Sequence, residues 1–186
     1  MDSHVEIERA LAGLTARTYS VQEATAAIPD ASGLYAWWVV GDALPGVPTT
    51  TLEASTGAAL VYIGVAPNAA NSKKTLRSRV VDNHLNGSIA TSTVRHSLAS
   101  LVVDKLSLKP TTKGTKVALP PEQNTELTAW QSMHLRVSWH ATPDPWLIES
   151  AVIAALAPPL NLAGNEGHAF HGTLTAARAA LKQSAR

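Results

Sequence analysis

The sequence predicts a mixed α/β domain: a small, largely antiparallel sheet of three strands flanked by helices. Three observations carry this. Residues 32–40 and 59–65 are short apolar runs, rich in aromatic and β-branched residues and bounded by Gly, Pro and Asp, as buried strands are. Residues 134–140 alternate cleanly, placing Leu135, Val137 and Trp139 on one face. The stretches between them carry helical periodicity or turn residues.

In chain order, residues 4–16 read as a helix with Ile7, Leu11 and Leu14 on one stripe. A second helix is expected over 21–27, with Ser20 and Glu23 at capping-box spacing. The first strand follows at 33–40. Residues 41–58, rich in Gly, Pro, Thr and Ser, read as a loop or mobile insertion before the second strand at 59–65. Thr75 then caps a helix over 76–85 that carries Arg77, Arg79 and His84. Another helix runs from Ser92 or Thr93 to Val103, and residues 104–119 read as an exposed loop or weak hairpin. Pro120-Pro121 opens a helix to Met133. After the third strand, Asp144-Pro145 starts a helix that ends at Pro158-Pro159, and a glycine-rich turn leads to a last helix over 174–183.

The length and apolar content fit one soluble domain over residues 1–186. The absence of Cys excludes disulfides, a thiolate nucleophile and Cys-ligated metals, and is compatible with a cytoplasmic protein. The first residues lack a basic-then-apolar leader pattern, and the apolar 151–160 segment is too short for a bilayer. The net charge of +1 hides an asymmetry: residues 1–71 carry −5, residues 72–116 carry +7 and residues 117–186 carry −1. The basic middle is either a solvated surface or a polyanion contact. Lys73, Lys74, Arg77 and Arg95 in it are candidates for holding a nucleic-acid backbone.

Glu149 lies in a helical stretch that is apolar nearly all round, so its helix is expected to be mostly buried. A carboxylate there needs a cation or strong donors, unless it sits at the helix start and reaches solvent. A hard divalent cation such as Mg²⁺ would suit it. Arg79 stands near a helix N-terminus with other cations, where an anion is favoured. Tyr35 beside Gly33 and Tyr62 beside Gly64 end two strands and can bring two phenols to one place. His168 and His171 are spaced like a metal pair, though zinc needs more ligands.

Taken together, Gly33-Leu34-Tyr35, Tyr62-Ile63-Gly64, Arg79, Glu149 and Asn161 after Pro159 resemble the GIY-YIG nuclease superfamily, in that family's order over residues 32–162. The resemblance implies an endonuclease acting on DNA with one Mg²⁺ or Mn²⁺. Tyr35 and Tyr62 would line the site and help deprotonate water, both hydroxyls pointing into the cleft. Arg79 would stabilise charge on the scissile phosphate, Glu149 would hold the metal, Asn161 would support the site by hydrogen bonds, and Gly64 would allow close approach. The family often has His or Tyr one helical turn after the arginine. That position is Asn83 here, and His84, which follows it, takes the role if the helix end is adjusted. The 41–58 insertion departs from the family's short turn. The alternatives are a binding module on the same fold without turnover, and a zinc hydrolase built on His168 and His171.

Overall fold

The computed structural model describes residues 3–49, 53 and 55–185. Its main sheet is antiparallel and has four strands rather than the expected three. In chain order they are β1 (Tyr19–Ser20), β2 (Gly33–Val39), β3 (Ala59–Ala66) and β6 (Leu135–Ala141), and they lie side by side as β1-β6-β2-β3. The extra strand is only two residues long, too short for alternation to reveal it. A separate hairpin, β4 (Thr111–Lys113) with β5 (Lys116–Ala118), occupies the basic 104–119 segment.

The helices are α1 (Ser3–Ala16), α2 (Val21–Ala27), α3 (Thr93–Val102), α4 (Pro121–His134), α5 (Glu149–Leu156) and α6 (His171–Ser184). Helix α2 begins with the expected capping box: Ser20 Oγ accepts the Glu23 N–H, and the Glu23 carboxylate accepts the Ser20 N–H at 2.7 Å. Helix α6 starts three residues earlier than predicted, taking in His171 and Gly172. The helix expected from Asp144-Pro145 is broken into a 3-10 turn, Pro145–Leu147, and α5. Only Val152 and Ile153 of α5 are buried, so apolar composition overstated its burial; its alanines face outward.

Both faces of the sheet are covered, because side chains alternate along each strand. Tyr35, Trp37 and Val39 of β2, with Leu135 and Val137 of β6, pack under α2, α3, α4 and α6. Leu34, Ala36 and Trp38, with Leu60, Ile63 and Val65, pack under α1 and α5. The loop over 41–58 is not simply exposed. Ala43 and Leu44 are buried against the first cluster, and Glu53 accepts from the backbone and hydroxyls of Ser55 and Thr56. Those hydroxyls hold the Glu53 carboxylate down at about 2. Residues 50–52 and 54 of that loop lie outside the described residues. Among the described residues, no helix is long and apolar enough to cross a membrane.

Strand β3 is an edge strand, and its unpaired backbone is covered by the segment after α5. The Leu160 N–H donates to Val61 O at 2.9 Å. The Asn161 side chain then brackets Ile63: Oδ1 accepts its N–H at 2.9 Å and Nδ2 donates to its carbonyl at 2.8 Å. This pair of buried bonds fixes the end of α5 beside Tyr62.

Candidate active site

The register of β2 on β3 sets Tyr35 opposite Gly64, and Trp37 opposite Tyr62. Side chains of directly opposed residues share a sheet face, so both phenols emerge on one side. Their ring centroids are 6.5 Å apart. Tyr35 lies across Gly64: a Cβ on that glycine would come within 2.3 Å of the Tyr35 hydroxyl oxygen. The close approach that Gly64 permits is therefore that of a neighbouring phenol, which corrects its assignment to substrate. The cleft orientation expected for both tyrosines is also corrected for Tyr35, which is 1% exposed, with its hydroxyl meeting His84 inside the protein. Tyr62 is half-buried.

The helix that carries Arg79 and His84 is a π-helix over Ser78–Leu85. Its winding closes backbone bonds five residues apart, as in Asn86 N–H to Val81 O at 3.0 Å. In an α-helix the residue beneath Arg79 would be Asn83. The wider turn brings His84 there instead. Its Nε2 lies 2.6 Å from the Tyr35 hydroxyl and its Nδ1 lies 2.7 Å from Ser92 Oγ. The ring also meets Tyr62 and Trp37 edge-on. Asn83 instead accepts from the Thr91 hydroxyl at 3.3 Å.

Wide winding leaves carbonyls at the helix end to be satisfied from elsewhere. Arg95 does this. It is completely buried, and its guanidinium donates to the carbonyls of His84 and Leu85, to Gln131 Oε1 at 2.6 Å and to Asn124 O at 2.9 Å. Thr128 and Gln131 donate to the same two helix carbonyls. Arg95 is thus committed to the interior, and its assignment to substrate is corrected. A lone arginine in a basic stretch reads as surface; only its position on the inward face of α3 places it here.

The electrostatics of the cluster follow from burial. Burial holds the Tyr35 phenol well above its ordinary value, with Tyr62 adding to the rise. Burial pushes Tyr62 up to about 12 although Arg79 pulls the other way. Burial, then Arg79 and Arg95, pulls His84 down to about 3, so its ring is neutral at pH 7. Glu149, the first residue of α5, has its carboxyl raised by burial and lowered again by Arg79.

Glu149 is half-buried and makes no hydrogen bond or ion pair among the described residues, and the Arg79 Nε is buried without an acceptor. Both are therefore free of structural commitments. Among the described residues, no three His, Asp or Glu side chains converge as a metal cluster. The donor set around Glu149 is one carboxylate, which fits a hard divalent cation completed by water and by substrate oxygens. His168 and His171 gain no further ligand, and the Phe170 N–H donates to His168 Nδ1 at 3.1 Å, so this pair shapes the turn before α6.

Arg79 and Lys74 line an open cavity of about 380 Å³ with Ser78, Asp82, Asn83 and Thr91. Lys73 and Lys74 are exposed on the turn before the π-helix. Arg77 is exposed too, and donates to Thr25 O at the end of α2 at 2.9 Å. Two residues near the cluster have little signature in the sequence. Ser92 reads only as a helix cap, which it also is: its Oγ accepts the Arg95 N–H at 3.2 Å. Arg178 lies four residues after Leu174 and three before Leu181, on the buried stripe of α6. It is close enough to Tyr62 for the two charges to bear on each other.

The family model described as the GIY-YIG catalytic domain matches residues 33–180, a span that reaches through most of α6. No curated protein and no solved structure matches the chain.

Proposed function

The chain belongs to the GIY-YIG nuclease superfamily, and from that membership we propose that it is a metal-dependent endonuclease hydrolysing phosphodiester bonds in DNA. The observation that carries the reading is the convergence of Tyr35, Tyr62 and His84 from two strands and a π-helix, with Arg79 and an unpaired Glu149 beside them.

Glu149 is the residue to hold Mg²⁺ or Mn²⁺, and such an ion supplies Lewis-acid neutralisation of charge on a phosphate oxygen. Arg79 offers its uncommitted guanidinium to the nonbridging oxygens, where charge grows as water attacks phosphorus. Neither phenol is ionised at neutral pH, since burial outweighs Arg79 at both. Tyr62, the half-buried phenol, is therefore the one that can meet the attacking water, and the enclosed Tyr35 and His84 hold its surroundings. With its proton on Nδ1 donated to Ser92 Oγ, the neutral His84 ring accepts the Tyr35 hydroxyl at Nε2. Asn161 keeps β3, and so Tyr62, in register with the end of α5.

The test is cleavage of supercoiled, linear and branched DNA with Mg²⁺ or Mn²⁺. Glu149→Gln and Arg79→Ala are each expected to lower the rate by at least about 10²-fold, the scale of losing one charge-stabilising group. Intact DNA across all substrates and both metals would end the catalytic reading, and tight binding without cutting would leave the binding-module alternative.

A further inference from the structure

Helix α6 packs along α3, with Leu174 and Leu181 in the core. On the same stripe Arg178 turns inward, and its Nη2 donates to His96 Nδ1 of α3 at 3.3 Å. A guanidinium can only donate, so His96 Nδ1 must be the acceptor. Burial, then Arg178 and Lys182, pulls His96 down to about 4, so the ring is neutral and its one proton sits on Nε2. That Nε2–H is buried and has no acceptor. Next to it is a cavity of about 210 Å³ lined by His96, Lys182 of α6, and Thr115, Lys116 and Val117 of the β4–β5 hairpin.

Both charged groups on this wall, Lys116 and Lys182, are cations, and neither has a carboxylate partner among the described residues. Like charges gathered without an acid repel, and a bound anion relieves that repulsion. The donors Nε2–H, two ammonium groups and the Thr115 hydroxyl suit acceptor-only oxygens. Arg178 also bears on Tyr62, so α6 links this cavity to the tyrosine cluster.

We propose that the cavity between α3, α6 and the β4–β5 hairpin is a phosphate-binding site, formed by His96, Lys116 and Lys182 and backed by Arg178, that holds a non-scissile phosphate of the bound DNA strand. The inference rests on the nuclease reading for the identity of the phosphate, and on the cavity itself for its chemistry. Lys116 and Lys182 are exposed, so they can be reversed without disturbing the core.

The experiment measures duplex DNA binding by the Glu149→Gln protein, alone and with Lys116→Glu or Lys182→Glu. Arg9→Glu, on α1 across the sheet, is the control for net charge. Each cavity reversal is expected to weaken binding about tenfold and to lower the slope of log K against log salt by about 0.9, the effect of one phosphate contact. Where the Glu149→Gln protein binds DNA, equal behaviour of the cavity variants and Arg9→Glu would overturn the site. In parallel, inorganic phosphate is titrated into the wild-type protein while the His96 imidazole signals are followed by NMR. Saturable shifts that Lys182→Glu abolishes support the site even if the protein binds no DNA, an outcome that sinks the nuclease reading alone. Unmoved His96 signals overturn the site.

Discussion

His84 has two partners and no charge, and both facts come from its burial. With its pKa at about 3 against an ordinary 6.5, the unfolded chain takes up the proton first. Its contribution to stability is therefore full above pH 6.5 and declines as pH falls toward about 3. His84→Gln is expected to flatten the rise of melting temperature with pH over that window, leaving the parts due to His96 and to carboxylates held low, Glu53 among them. An unchanged slope would show that the ring is charged in the folded state. Gly64 acts at the same scale. Gly64→Ala puts a methyl against the hydroxyl end of Tyr35, and a fully enclosed ring has little room to retreat. The cost is expected to be about 1–3 kcal/mol by denaturant unfolding, as for overpacking in general. Cleavage should fall further than stability, since the displaced atom is the one bonded to His84.

The π-helix is the element on which the site depends. Its winding replaces Asn83 with His84 beneath Arg79, and buried donors from α3 and α4 hold its last carbonyls. Arg95 is held without a carboxylate; the carbonyls at the C-terminus of the π-helix and the oxygens of Asn124 and Gln131 on α4 offset its charge, and burial lowers it to about 10. Arg95→Met is expected to destabilise the protein by about 3–5 kcal/mol, the range for removing one partner of a buried charged network. Arg95→Lys should rescue little, because an ammonium cannot span acceptors on two helices as a planar fork does. Chemical denaturation measures both, and a tolerated Arg95→Met would mean that Thr128 and Gln131 alone hold the helix end.

Across the whole molecule, the tyrosine cluster hangs on a long-range clamp. Asn161 ties the chain after α5 to the otherwise unpaired edge of β3, and so relates Glu149 to Tyr62. Asn161→Ala leaves the Ile63 N–H and carbonyl unpaired at a buried edge, with an expected loss of about 2–4 kcal/mol. Its effect on cleavage should exceed that of an equally destabilising core change elsewhere, such as Leu14→Ala on α1. Equal effects would make the clamp structural only. The charge asymmetry also finds its place at this scale: the +7 segment spans the turn at Lys73-Lys74, the π-helix and the β4–β5 hairpin. One of its nine cations, Arg95, is spent inside the fold.

The alternating and apolar strands, the capped helices and the order of Tyr35, Tyr62, Arg79, Glu149 and Asn161 are legible in the residues alone, because periodicity, capping and motif order need no tertiary contact. The four-strand sheet needed the structure, since two residues of β1 carry no period. So did the fate of Arg95 and Gly64: composition reports a charge or a missing side chain, while burial and cross-strand register decide what it meets. The choice of His84 over Asn83 is the clearest case. Adjacent residues differ by one step of helix winding, and that step was decided by buried donors as far along the chain as Gln131, which supply the partners that a π-helix end requires.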